Sequence, residues 1–166
     1  MSKGNSIVVS ASPICPFEWG YINDTSLPGT IMQIDNSVGT YGQPPTGPYT
    51  GRFAWKASAP GTDGQGVLNA ILMEDRQQGF PFTQAYVQGT WGELYYPQSG
   101  EEVNILLGEV AGTGNSYNVG DSLMVDAETG ILVPYVAGSG TGVFAICLEK
   151  VVQAAGSRLT WVKIAF

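Results

Sequence analysis

Apolar and polar residues alternate over short stretches of this chain, and glycine or proline interrupts the stretches at brief intervals. In the segment 122–127, Leu123, Val125 and Ala127 fall on one side of an extended chain, and the segment 102–109 repeats this alternation. A period of two residues is that of a strand with one buried face. Ten strands are predicted on this basis, at residues 6–11, 30–35, 51–57, 67–74, 85–96, 102–110, 122–127, 131–136, 142–152 and 159–166.

The stretches between the strands predict long loops and an arm. Residues 39–49 are too rich in glycine and proline for a regular element. Tyr41 and Tyr49 in this loop are candidate contact residues, because tyrosine on a proline-stiffened backbone buries a large area at a low entropy cost. Residues 1–27 are predicted to form an extended N-terminal arm, whose apolar side chains need a cover from the same chain or a neighbour. Its candidate contact residues are Pro13, Ile14, Phe17 and Trp19.

Two blocks of sequence recur in the same order. The block 28–35 resembles 119–126, each a glycine-led strand that ends in aspartate, and 70–74 resembles 145–149. The segment around 70 also has apolar residues at helical spacing, but the recurrence favours a strand there. The recurrence indicates either a duplicated β unit or two independent uses of the same strand and turn signals.

These patterns predict an all-β protein in which residues 28–166 form a single β domain, with a sandwich as the expected form. Duplication would divide this domain into two related lobes, at about 28–100 and 101–166. The spacing between the blocks is longer than that of solenoid repeats, which favours two lobes over a stacked array.

Charged residues are scarce, at 13% of the chain against an ordinary fraction of about 25%. The favoured explanation of this scarcity is that another subunit covers part of the apolar surface, although an outer face of uncharged polar residues would give the same composition. The net charge is −7, and the seven basic residues are scattered singly along the chain. Binding to nucleic acid or to an anionic membrane needs clustered Lys and Arg, so neither is expected.

No signal peptide and no apolar run of about 20 residues is visible, so we expect the chain to be made in the cytoplasm. Cys15 and Cys147 are expected to be reduced in that compartment, and Cys147 lies in an apolar run typical of a buried thiol.

The sequence argues against an enzyme. It has no histidine, which excludes Ser-His-Asp and Cys-His nucleophiles and the commonest zinc sites. The adjacent carboxylates of Glu101 and Glu102 would point to opposite faces of a strand, so they would not converge on a substrate, and we predict that both are solvated surface groups. Residues 126–130 are interpreted as a hairpin turn rather than as part of a calcium site. We therefore predict no catalytic residue, no metal site and no cofactor.

Four motifs stand in the second half of the chain: Tyr-Tyr-Pro-Gln-Ser-Gly-Glu-Glu-Val-Asn at 95–104, Val-Gly-Asp-Ser-Leu-Met-Val-Asp at 119–126, Gly-Ile-Leu-Val-Pro at 130–134 and Val-Phe-Ala-Ile-Cys-Leu-Glu at 143–149. In these motifs the chain resembles the capsid decoration (cement, or head auxiliary) proteins of tailed phages. The family pattern has a proline and a Gly-acidic-acidic-Val strand start, a Val-Gly-Asp strand, a Gly-x-Leu hairpin and a small-residue strand that ends in glutamate. The loops and the arm depart from this pattern.

The resemblance implies a β-sandwich or β-tulip-like fold, and a non-enzymatic homotrimer on the outside of the expanded head. Its partner would be the major capsid protein, whose neighbouring subunits it would hold together against the packed genome. Two alternatives remain open at this point. One is a carbohydrate-binding β-sandwich module that uses tryptophan and tyrosine for stacking, and the other is a minor virion component such as a minor capsid or fibre-base protein.

Overall fold

The computed structural model describes residues 8–10, 17–22, 25–35, 52–56, 68–74, 82–108, 116–126, 129–139, 142–152 and 158–165. All regular structure within these residues is β-strand. The strands are β1 (Val8–Ser10), β2 (Phe17–Ile22), β3 (Ile31–Asp35), β4 (Arg52–Lys56), β5 (Leu68–Leu72), β6 (Trp91–Tyr95), β7 (Glu102–Leu107), β8 (Ser116–Tyr117), β9 (Ser122–Val125), β10 (Leu132–Pro134), β11 (Ala145–Cys147), β12 (Val151–Val152) and β13 (Arg158–Ile164).

Strands β2 to β6 close into a first barrel in the order β2, β4, β3, β5, β6. The pair β2–β4 is parallel and the other four pairs are antiparallel. A closed ring leaves none of its own strands with an open edge, which removes the usual site of strand-to-strand aggregation.

A second ring is formed by β7, β10, β9, β11 and β13, and the pairing of β13 with β7 closes it. Here β7 and β10 are the parallel pair. When the strands of each ring are numbered along the chain, both rings have the order 1-3-2-4-5. Each ring also carries a small accessory pairing, between β8 and β12 on the second barrel and between Ser26 and Tyr86 on the first.

The all-β prediction is confirmed, with strands closed into rings in place of two flat layers. The segment around residue 70 is strand β5, because its residues pair with β3 on one side and β6 on the other. Two described stretches of the predicted arm are strands that pair with the barrels. Phe17–Ile22 is barrel strand β2, bonded to β4 and β6, and Val8–Ser10 lies along β7 of the second barrel.

The apolar interior of each barrel comes from alternate strand positions. Ile22, Met32, Ala70, Leu72 and Leu94 belong to one buried cluster, that of the first barrel. The second barrel is filled by Val103, Ile105, Leu107, Leu123, Val125, Leu132, Ala145, Cys147, Val162 and Ile164. Burial of each large aliphatic side chain contributes about 1.5–3 kcal/mol, so each ring has a core of its own.

A third group of apolar residues lies between the barrels. Ile31, Ile71, Met73 and Tyr95 belong to the first barrel but join the buried cluster of the second. They alternate in sequence with interior residues, so they lie on the outer side of β3, β5 and β6. The outer side of one barrel is therefore part of the core of the molecule.

Thr160 offers a test of the second barrel's interior. It is fully buried, and its Oγ1 has no hydrogen-bond partner among the described residues. Replacement by the isosteric valine removes an unsatisfied hydroxyl, so T160V is expected to raise the free energy of unfolding by about 1 kcal/mol. Urea denaturation checks this. T129V is the control and is expected to lose stability, since Thr129 Oγ1 donates to Asp126 in an exposed turn. A loss of stability in T160V would contradict the assignment.

Candidate interaction surface

The structure describes only part of the contact set that the sequence predicts. Pro13, Ile14, Tyr41 and Tyr49 lie outside the described residues. The backbone of Phe17 lies in β2, opposite Tyr95 of β6. Trp19 is thus the one predicted contact residue whose side-chain environment is described.

Trp19 lies on the outer side of the first barrel. Its strand neighbour Gly20 is buried and Ile22 fills the barrel, so alternation turns Trp19 outward, where it is 41% exposed. It pairs across β2 and β6 with the half-buried Glu93, and the half-buried Trp91 lies two residues from Glu93 on the same side. We call the outer side of β2 and β6 the tryptophan face. Exposed tryptophan in a regular strand is typical of a contact surface.

A second exposed apolar surface lies at one end of the second barrel. Val119 is 66% exposed and Val136 is 57% exposed, and Tyr135 beside Val136 is also exposed. Backbone bonds bring them together at the start of β9, because the N–H of Tyr135 donates to Ser122 O at 2.9 Å and the turn that carries Val119 leads directly into that strand. No pattern in the sequence distinguishes these valines from buried ones.

The turn that carries Val119 has a defined geometry. Asp121 N–H donates to Asn118 O at 3.1 Å, and Gly120 has a φ of +94°, as the third residue of a type II turn requires. The Oδ2 atom of Asp121 accepts the N–H of Asn118 at 2.7 Å. Asp121 therefore stabilises its own turn. We call Val119, Gly120, Tyr135 and Val136, together with the half-buried Ile146 and Leu148 of the β11 region, the valine end.

The junction between the barrels is close-packed. Leu106 N–H donates to Gly29 O at 3.0 Å, and Ile31 N–H donates to Gly130 O at 2.7 Å. A Cβ built on Gly29 would lie 2.6 Å from Cδ2 of Leu159 on β13. The backbone of the Gly29 turn thus lies directly against the outer side of β7 and β13.

A buried carboxylate lies beside this junction. Glu101 is buried, although its adjacency to Glu102 indicates a solvated pair. Its Oε2 accepts a hydrogen bond from the hydroxyl of Tyr95 and another from the N–H of Gln98 at 2.8 Å. These donors offset the cost of burying a polar carboxyl group, and Glu101 therefore has a role in the packing of the chain between the barrels.

The remaining candidate chemistry is accounted for by local structure. At the position of the predicted hairpin turn, Gly130 N–H donates to Asp126 O and Asp126 N–H donates to Ile131 O, both at 2.9 Å, between the antiparallel strands β9 and β10. Cys147 is a buried thiol whose Sγ lies 3.1 Å from Glu149 O. Within the described ranges, no three His, Cys, Asp or Glu side chains group as metal ligands. The same ranges contain no helix long and apolar enough to span a bilayer.

Comparison with known proteins gives a likeness of fold. No family model matches the chain, and no curated protein matches it in sequence. Among solved structures, the chain is similar to the head fiber gp8.5 N base in bacteriophage phi29, with a TM-score of 0.53 and 11% sequence identity. The similarity covers 92% of this chain and 95% of that chain. The described fold is therefore shared, over nearly the full length of both chains, with a component of a phage head.

Proposed function

We propose that this chain is a structural, non-catalytic virion protein that binds the outside of an assembled phage head. In this proposal it acts as a homotrimer, and it stabilises contacts between neighbouring subunits of the major capsid protein. A trimer presents three copies of one contact, so a weak contact gains about 10²–10⁴-fold in avidity once the first copy is bound. Nucleic acid and membrane are not among its proposed partners.

The fold likeness to the phage head fiber base supports this proposal most directly, because it covers almost the whole of both chains. The decoration-protein motifs at 95–104, 119–126, 130–134 and 143–149 point to the same class of protein independently of the fold. The chain has few charges and two exposed apolar surfaces, the tryptophan face and the valine end. Exposed apolar surfaces of this kind are typical of proteins that assemble with other subunits.

We assign the proposed contact residues to two roles. Tyr41, Tyr49, Pro13 and Ile14 are assigned to the capsid, because these proline-rich segments are where the chain departs from the family pattern. Trp19 is assigned to contact between copies, since it lies on a barrel strand, and Phe17 of the same strand is assigned with it.

The test is to mix the purified chain with expanded, DNA-free heads of the virus that encodes it and to measure bound copies by native mass spectrometry or gel densitometry. The double variant Y41S/Y49S is expected to raise the concentration needed for half occupancy at least tenfold, by an order-of-magnitude estimate, because aromatic anchors dominate interface energies. V152S, at a 73% exposed valine of β12, is the control and should bind as the unmodified chain does. Failure of the unmodified chain to bind heads, with specific retention on a glycan array, would contradict the proposal and favour a carbohydrate-binding module.

A second candidate function is the base of a head fibre, a minor virion component. The solved structure that this fold resembles is itself a head fiber base, which favours this candidate specifically. Cryo-electron microscopy of occupied heads separates the two. A decoration protein gives density at many equivalent capsid positions that ends at the barrels, whereas a fibre base gives density that continues outward from them.

A further inference from the structure

The two barrels match in register as well as in strand order. The two sequence blocks align Gly29 with Gly120 and Ala70 with Ala145. In the first barrel Met32 pairs with Ala70, and in the second Leu123 pairs with Ala145. Met32 and Leu123 are the residues that the first block equates, so the pairing between the two blocks has the same register in both barrels.

This correspondence continues around both rings. Once β3 is aligned with β9, each observed pair of residues fixes the alignment of the next strand around the ring. Followed in either direction around the ring, these pairs lead to the same parallel contact in both barrels. That contact is Ile22 with Ala54 in the first barrel and Leu107 with Leu132 in the second. The connecting pairs are Ile34–Ala54 with Val125–Leu132, Leu72–Leu94 with Cys147–Val162, and Tyr21–Trp91 with Leu106–Leu159.

A slip of one residue in any strand would break this closure and would also reverse the faces of that strand. The turns that precede β3 and β9 agree as well. Gly29 has a φ of +88° and donates its N–H to Leu72 O, and Gly120 has a φ of +94° and donates its N–H to Cys147 O. Two unrelated barrels of the same strand order would have no reason to share every register.

Equivalent surfaces of the two barrels differ in burial. The Gly29 turn and the outer residues Ile31, Ile71 and Met73 are buried at the junction. The equivalent surface of the second barrel is the valine end, where the Gly120 turn is exposed and an added Cβ would meet no atom within 4 Å.

The surface of β7 and β13 against which the Gly29 turn packs also has an equivalent in the first barrel. Gly29 packs on Leu106 and Leu159 of the second barrel, and the register places Trp91 of the first barrel at the position of Leu159. Trp19 takes the position of Asn104 and is 41% exposed. The tryptophan face is therefore the first barrel's counterpart of the surface that β7 and β13 offer to the Gly29 turn.

We propose that the chain is a tandem duplication, and that the valine end of one copy packs on the tryptophan face of the next copy in the way that the Gly29 turn packs on β7 and β13 within the chain. The partner is a second copy of this chain, and the junction inside the chain is the pattern for the contact. Such a contact joins two different surfaces, so successive copies close a ring or extend a filament. It is independent of head binding and is tested on the isolated chain.

Sedimentation velocity and light scattering of the purified chain provide the test. The unmodified chain should form an oligomer that V119D and W19E each dissociate, with at least about a tenfold rise in the concentration of half dissociation. An equimolar mixture of V119D and W19E should form a one-to-one dimer and nothing larger. V119D retains its tryptophan face and W19E retains its valine end, so only one productive contact remains.

V152D is the matched control. The accessory pairing of Ser26 with Tyr86 in the first barrel corresponds to that of Tyr117 with Val151 in the second, so Val87 and Val152 occupy equivalent positions. Val87 is 63% exposed in the folded chain, so this position is not covered when the junction between the barrels forms. Val152 therefore lies outside the proposed contact, and V152D should associate as the unmodified chain does. Circular dichroism and thermal midpoints establish that each variant is folded. A monomeric unmodified chain, persistence of the oligomer in folded V119D and W19E, dissociation by V152D to the same degree, or a mixture that stays monomeric would each overturn the proposal.

Discussion

Replacement of Gly29 by alanine is expected to lower the free energy of unfolding by about 3 kcal/mol. Two costs add at this position. Its φ of +88° is strained for any residue with a Cβ, which costs about 1–2 kcal/mol. The added carbon would also lie 2.6 Å from Leu159 Cδ2 and 3.2 Å from the backbone N of Leu106, and such overpacking costs about 1–3 kcal/mol. The leucine end can shift, but the backbone of β7 is fixed by its ring.

G120A is the matched control for this prediction. Gly120 occupies the same position of an equivalent turn with nearly the same φ, but nothing lies within 4 Å of its added Cβ. Only the backbone cost remains, so a loss of about 1 kcal/mol is expected. The difference between the two variants isolates the packing between the barrels.

Urea denaturation followed by both tryptophan fluorescence and circular dichroism gives the two values, and coincidence of the two signals establishes that a single free energy describes the transition. Equal losses in G29A and G120A would show that the junction yields freely to an added methyl group, contrary to the packing described above.

Removal of the Ile71 side chain is expected to have an effect of similar size. Ile71 is fully buried on the outer side of β5, within the cluster that joins the barrels. Truncation of a buried isoleucine to alanine removes apolar burial and leaves a cavity, so I71A should cost about 3–4 kcal/mol.

The equivalent residue in the second barrel, Ile146, is only half-buried. I146A should therefore cost about 1 kcal/mol, in proportion to the smaller area it removes from solvent. Both variants are compared at the lowest protein concentration that gives a measurable signal, so that association between copies does not add to the result. A loss in I146A as large as that in I71A would contradict the difference in burial between the two barrels.

The sequence predicted most strands because their signals are local. The alternation in 122–127 and 102–109 depends on which residues face one side of an extended chain, and the turns that flank them carry glycine where φ is positive, as at Gly120 and Gly100. The likeness of 67–74 to 142–149 predicts a strand in spite of the helical spacing of its apolar residues, and the structure confirms strand β5 there.

Strand β2 lies within the predicted arm, although its sequence carries the signal of a strand. Phe17, Trp19 and Tyr21 alternate with Glu18 and Gly20, which is a period of two. The nearby prolines at 13 and 16 favour an extended arm over a regular strand. A strand with aromatic side chains is also unstable by itself, so it forms only where partner strands are available. Residues of β2 pair with residues 32 positions further along the chain in β4 and 70 to 78 positions further along in β6, and no local rule selects strands so distant.

Sequence alone determined the all-β class, the turn positions and the recurrence of two blocks, because each follows from residues a few positions apart. Tertiary structure decided which recurring surface is buried. Gly29 and Gly120 stand in equivalent turns, and Ile71 and Ile146 in equivalent strands. The first of each pair is covered by the second barrel, while Gly120 is exposed and Ile146 only half-buried. Burial depends on what packs against a surface, and the local sequence of two equivalent turns or strands does not tell which of them is covered. Trp19 is assigned to contact between copies because the surface equivalent to its own is covered in the second barrel, while Trp19 is exposed.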